Sequence, residues 1–215
     1  EKDENKRNKY VQVIESNNEL LLRLIGDILD LSKVEAGSME YTHSEFDLNK
    51  LMEDMNGTLQ LRMDTKKQVV LSYKCGLEQC VIRSERNRLT QLVTNLVTNA
   101  IKFTEHGTIN FGYELRNDML RFYVSDTGCG IPKEKQKDVF KRFVKLNGFK
   151  QGFGLGLPIC ESIVNALGGE IGVESEAGKG STFWFTIPYV PVERTVKTDA
   201  PVRITVATPS VKGNI

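Results

Sequence analysis

Apolar residues Val11, Ile14, Leu21, Ile25 and Ile28 recur at alternating steps of three and four, with Asn18 as a polar interruption, and Leu20, Leu22, Leu24, Leu29 and Leu31 widen the stripe. This heptad-like period predicts one long helix over residues 1–35, highly charged in its first turns. A stripe so wide calls for partners from a helical bundle or a second chain, in preference to packing against the sequence downstream. Gly37 is the residue expected just past the helix end.

Beyond Gly37 the pattern changes. Residues 42–46 suit a short strand, and Asp47 is placed to cap a helix over 48–63. Residues 68–73 and 80–83 are β-rich and separated by CGLEQ, which predicts a hairpin or near-hairpin. Leu89, Leu92, Val93, Leu96, Val97, Ala100, Ile101 and Phe103 then mark a second periodic helix, opened by Ser84 or Asn87. Strands over 107–115 and 119–125 turn at Arg116-Asn117-Asp118. A helix over 157–167 is stopped by Gly168-Gly169, and strands over 170–174 and 181–188 are joined through EAGKG. The expected fold is α/β, a two-layer sandwich of a mixed sheet and helices. Past Pro188 the chain is rich in Val, Thr and Pro without helical period, which suits a linker or extended segment. The expected division is a helix at 1–37, an α/β domain at 38–190 and a tail at 191–215.

Composition narrows the function classes. The 215 residues are 40% hydrophobic, enough for a core, and 29 basic residues nearly balance 28 acidic ones, which argues against a general nucleic-acid or membrane-surface binder. No apolar run reaches membrane-spanning length, and the opening EKDENKRNKY is not a signal peptide. The chain does not start with Met and is expected to be a piece of something longer, in the cytoplasm. Cys75, Cys80, Cys129 and Cys160 lack zinc-site spacing; a Cys75–Cys80 bridge is open, with reduced thiols preferred.

Four stretches carry candidate chemistry. On the second periodic helix Asn95 and Asn99 lie one turn apart, with Lys102 a turn beyond; alone, they suit a binding face or a solvated edge equally. Asp126-Thr127-Gly128-Cys129-Gly130-Ile131-Pro132 follows an apolar strand, so a carboxylate at a strand end precedes two glycines. That carboxylate can accept from the exocyclic amine of adenine, although an ordinary Asp-Gly turn has the same look. In Gly152-Phe153-Gly154-Leu155-Gly156-Leu157 alternating glycines run into a helix start, exposing backbone N–H groups that favour phosphate. The spacing fits neither the Walker A loop nor G-x-G-x-x-G. Between these lie Phe140 and Phe143, suited to anchoring a loop, and Arg142 and Lys145, whose charges can reach phosphate; residues 147–151 read as a lid.

In this order the motifs resemble the ATP-binding domain of sensor histidine kinases, within the superfamily that includes gyrase, Hsp90 and MutL. NLVTNAIKFT matches the N box, DTGCGIP the G1 box, VFKRF the F box, GFGLGL the G2 box and GKGST the segment after it, while NNELLLRLIGDILDLSKVEAG resembles the second helix of the dimerisation and phosphotransfer domain. The spacing is similar to that of hybrid two-component kinases. The resemblance implies the Bergerat-type ATP-binding fold and a site for ATP and Mg²⁺. Asn95 and Asn99 would hold the metal, Asn95 more directly; Lys102, Arg142 and Lys145 would contact phosphate; Asp126 would read adenine between Gly128 and Gly130. Gly152, Gly154 and Gly156 would wrap the phosphates, with Leu157 and Thr182 also at the nucleotide. Phe153 replaces the family's usual Thr or Ser.

Where the superfamily's ATPases carry a water-activating Glu, position 95 is Asn, which cannot serve as that base. The implied reaction is therefore transfer of the γ-phosphoryl group to a protein histidine. Only His43 and His106 exist, both in expected loops, so the acceptor is expected on a helix outside residues 1–215 and none of these residues is assigned that catalytic role. The implied partners are a second copy, as a homodimer in the parent protein, and a response regulator or receiver domain, with no nucleic acid and no direct membrane contact. The alternatives are a non-catalytic nucleotide-binding regulatory module and a related serine-phosphorylating kinase.

Overall fold

The computed structural model describes residues 2–63, 67–144 and 153–192. Helix α1 (Lys2–Glu35) forms as its period predicts. It ends in a paired closure: Gly37, at φ 61°, donates to Val34 O (3.1 Å), and Ser38 donates to Lys33 O (3.0 Å). Its apolar stripe is divided. Leu24, Leu31 and Val34 pack against the core of the domain that follows, while Tyr10, Val11, Ile14, Leu21, Leu22, Ile25, Ile28 and Leu29 stay exposed. The downstream packing that the stripe's width argued against is thus present along one edge, fixed by a polar contact: Arg88 pairs with Asp30 at 3.2 Å, and Gln91 donates to the same carboxylate at 2.8 Å.

Strand β1 (Ser44–Asp47) leads into α2 (Leu48–Gln60), and the Asp47 side chain accepts from the N–H groups of Asn49 (2.9 Å) and Lys50 (3.2 Å), the expected cap. The expected hairpin does not form. β2 (Gln68–Lys74) runs parallel to β4 (His106–Arg116), whereas β3 (Val81–Ser84) pairs antiparallel with β1 in a separate sheet. Asn49 explains the separation, because its side-chain amide donates to Leu77 O (2.9 Å) and Glu78 O (3.0 Å) and pulls the intervening loop onto α2. At the exit from β2, a Cβ on Gly76 would stand 2.5 Å from Tyr113 O, so the loop backbone lies hard against β4.

The main sheet has the order β2-β4-β5-β7-β6, mixed as expected, with β5 (Met119–Asp126), β6 (Ile171–Glu176) and β7 (Gly180–Pro188). Asn117 (φ 46°) and Asp118 (φ 60°) both take the left-handed conformation that a tight hairpin turn between β4 and β5 demands. Alternation puts Leu120, Phe122, Val124 and Asp126 of β5 on the buried face. There Phe122 stacks on Phe185 with ring centroids 4.8 Å apart. Over that face lie α2, α3 (Arg86–Phe103) and α5 (Gly156–Ala166), with α3 contacting both of the others. α3 is preceded by the buried Glu85, which makes no side-chain cap, and not by Ser84 or Asn87 as expected. A one-turn helix, α4 (Lys133–Gln136), follows the Gly128–Pro132 loop.

The chain past β7 does not leave directly. Arg83 N–H donates to Val190 O (3.0 Å), Val192 N–H donates to Val81 O (3.0 Å), and Pro191 lies opposite Ile82. The expected boundary at 190/191 therefore falls inside a paired segment; residues 193–215 lie outside the described set.

Candidate nucleotide site

The site forms where α3 crosses the C-terminal end of β5 and meets the start of α5. Asp126 closes β5 with 8% of its surface exposed. Its carboxylate accepts from Gly128 N–H at 2.8 Å and is also bonded by Ser181 N–H. Burial pushes this carboxyl above the ordinary range, against the pull of those two donors. Gly128 has no room for a side chain, since a Cβ would stand 2.5 Å from Phe103 O at the end of α3. Gly130 is left-handed (φ 63°), and a Cβ there would meet Glu176 O at 2.0 Å.

The same loop is stitched to the β6–β7 hairpin. Gly178 donates to Cys129 O (2.8 Å), Ile131 N–H donates to Ser175 Oγ (2.8 Å), and Gln136 donates to Ile131 O (2.9 Å) and Ser175 O (2.7 Å). This end of the site is held by hydrogen bonds between its own loops.

Register corrects one assignment. Asp126 is opposite Ser181, and Ser125 opposite Thr182. Thr182 points to the other face of the sheet and donates to Ser125 Oγ (2.9 Å). Ser181, 7% exposed, shares the face of Asp126 and lies 3.0 Å from Ser175 Oγ. Strand parity, once Asp126 and the β5–β7 pairing are fixed, identifies Ser181 and excludes a direct Thr182 side-chain contact on that face.

At the opposite end Asn95 and Asn99 are half-buried on α3, one turn apart, and Lys102 follows with its ammonium 4.9 Å from the Phe103 ring centroid. Asn95 faces the first turn of α5: a Cβ on Gly156 would lie 3.9 Å from its carboxamide, in ordinary contact. Its Nδ2 donates to Cys160 Sγ at 3.7 Å. The residue before α5, Leu155, offers no side-chain cap, and the first turn holds no acidic residue, so the N–H groups that open this helix suit an anion. Leu157 is half-buried in that same first turn.

Gly154 (φ 73°) sits at the base of the segment expected to be a lid, where Phe143 N–H donates to its carbonyl at 3.0 Å. Phe140 anchors this region edge-to-face on Phe183, with centroids 6.4 Å apart. Phe143 does not anchor it. That residue is left-handed (φ 61°) and 68% exposed, its backbone committed to Gly154 and its ring turned to solvent. Arg142 is exposed beside it. Lys145, Gly152 and residues 147–151 lie outside the described set.

Among the described residues no three His, Cys, Asp or Glu side chains cluster as metal ligands. A cation at the Asn95 end would rest on carboxamide oxygens and on the ligand's own phosphates, a donor set that fits the hard Mg²⁺ ion. All four cysteines are free. His43 precedes β1, with Nδ1 3.5 Å from Glu85 Oε1, and His106 opens β4 opposite Gln68; neither lies on a helix.

Comparison with known proteins agrees with this geometry. The chain is 38% identical to the circadian input-output histidine kinase CikA of Synechococcus elongatus over 189 residues, covering 85% of this chain and 25% of that protein. Other curated relatives, hybrid signal transduction histidine kinases L and B of Dictyostelium discoideum, are spanned over only 11% and 10% of their lengths. In structure it is similar to full-length ShkA in complex with AMPPNP (TM-score 0.77, 29% identity, 86% of this chain and 39% of that one). It is also similar to histidine kinase ThkA in complex with response regulator protein TrrA (TM-score 0.64, 28% identity, 81% of this chain and 49% of that one). Residues 84–191, which carry both ends of the site, match the model of one family, and the chain belongs to it: the histidine kinase-, DNA gyrase B- and HSP90-like ATPases.

Proposed function

We propose that this chain is the ATP-binding catalytic part of a two-component sensor histidine kinase, passing the γ-phosphoryl group of ATP to a histidine on a helix that partners α1. The observation that carries it is the pairing of a buried carboxylate at Asp126 with a carboxamide, and no carboxylate, at Asn95 beside the open start of α5. Asp126 binds the adenine amine. Gly128 and Gly130 keep the loop backbone close to Phe103 and Glu176, so that a flat base can lie against it. The first N–H groups of α5 receive phosphate, together with Lys102 and Arg142.

Asn95 and Asn99 would hold Mg²⁺ through their amide oxygens, and the ion would supply charge neutralisation on the triphosphate. Asn95 cannot take a proton from water, so this end of the site positions and neutralises without activating hydrolysis. The attacking imidazole comes from the partner helix, and proximity supplies the rest of the rate. The exposed stripe of α1 is the surface for that helix and for a second copy. A response regulator or receiver domain then accepts the group, as the complex of ThkA with TrrA suggests by analogy.

The test supplies a histidine-bearing first helix in trans with Mg·ATP. The expected product is an acid-labile phosphoryl group on that helix. Acid-stable product points to serine transfer, and no product despite measured ATP binding points to a nucleotide-sensing module; either result overturns the proposal.

A further inference from the structure

Cys160 has no place in the mechanism above. It is wholly buried on α5, one turn after Gly156, and therefore on the same side of that helix as the position where an added Cβ would lie 3.9 Å from Cγ and Nδ2 of Asn95. We propose that Cys160 is a positioning residue for Asn95: its sulfur holds the amide nitrogen so that Oδ1, the only end able to meet a cation, faces the phosphate end of the site. This rests on the metal role of Asn95 given above.

A carboxamide has a donor end and an acceptor end of nearly equal size. Half-buried with no discriminating neighbour, it would turn either end to the cleft, and half of those states would present N–H groups to a cation. The Nδ2–Sγ contact of 3.7 Å breaks that symmetry. The sulfur of this wholly buried side chain acts here as the acceptor. A thiol at this point also adds no charge beside the phosphates. The opposite arrangement, S–H donating to Oδ1, would turn the NH₂ group to the cleft and would work against metal binding. Removing the sulfur therefore has opposite effects in the two cases.

The experiment measures AMPPNP affinity by calorimetry with and without Mg²⁺, on the full 215-residue chain and on Cys160→Val, Cys160→Ser and Asn95→Ala. Thermal unfolding of each is measured in parallel. Val fills the space without an acceptor; Ser keeps an acceptor but places a hydroxyl in an apolar core. The Mg²⁺-dependent gain in affinity should fall about three- to tenfold in Cys160→Val, as expected for a lost neutral hydrogen bond, and less in Cys160→Ser. Thermal stability should show the reverse order, which a merely space-filling cysteine would not produce. In the metal-free protein the side-chain ¹⁵N–¹H resonances of Asn95 should shift in Cys160→Val.

A gain that survives Cys160→Val but vanishes in Asn95→Ala overturns the positioning role and leaves the metal role of Asn95 standing. A gain that increases in Cys160→Val overturns the assigned orientation. A gain that survives Asn95→Ala overturns the metal role itself, and the inference with it.

Discussion

The two ends of the candidate site are made in different ways. The proposed adenine end is a backbone construction. Asp126 is held by two N–H groups, its loop is sewn to the β6–β7 hairpin, and its glycines stand where no side chain could. The proposed metal end consists of side chains projecting from one helix, with the Asn95 amide donating to the Cys160 sulfur. Backbone constructions are set by the fold and respond to damage by unfolding or shifting. Side-chain constructions respond by losing one interaction. The first end should therefore couple strongly to stability, and the second should change ligand binding with little effect on the fold.

The largest expected effect is at the adenine end. Gly130→Ala places a Cβ 2.0 Å from Glu176 O on a left-handed backbone, and should cost about 3 kcal/mol of stability in a denaturant titration. Wild-type stability in that variant would erase the contrast between the ends.

Next is Asp126→Asn, which keeps the shape but loses a charged acceptor; adenine nucleotide affinity should fall by about 1–3 kcal/mol. Unchanged binding by calorimetry would remove Asp126 from the site.

A graded version of the same loss uses pH. Burial raises the Asp126 carboxyl in the folded protein, so its contribution to stability is full below the unfolded value and is lost as pH rises through the folded one. Adenosine binding needs the ionised form and should weaken on acidification while ordinary exposed carboxylates are still charged. Both slopes should vanish in Asp126→Asn; an identical pH profile for the variant and the wild type would contradict the assignment.

The smallest effect belongs to the metal end. Asn95→Ala removes a proposed metal-ligating amide oxygen, and should weaken Mg·AMPPNP by about tenfold while adenosine binding and thermal stability stay near wild type. Equal effects on both ligands would place Asn95 outside the metal site.

What was legible in the sequence divides along similar lines. Local signals held: the period of α1, the Asp47 cap, the turn at Asn117 and Asp118, and the strand that ends before Gly128 each depend on neighbours in the chain. Asn95 and Asp126 became candidates only through the order of the motifs and the resemblance it carries, since residue type alone left both open. Non-local choices were not visible. CGLEQ is compatible with a hairpin, and only the amide of Asn49, reaching across from α2, turns that loop elsewhere. Thr182 and Ser181 are adjacent hydroxyls until register with Asp126 separates their faces. Phe143 looks like an anchor until its backbone is committed to Gly154. Cys160 sits in an apolar run, and nothing distinguishes it from ordinary core until α5 lies against α3.

The small sheet has a mechanical consequence. β3 carries β1 along one edge and residues 190–192 along the other, both antiparallel to it. The segment from α1 arrives at Ser44, opposite Ser84, while Val192 departs beside Val81, at the other end of the same strand. Tension between the two exits would load these backbone bonds together, in shear, and would not peel them one by one. Tension applied at Ser44 and at Val192 would thus be carried across β3, whereas a load on α1 itself also reaches α3 through Asp30, Arg88 and Gln91.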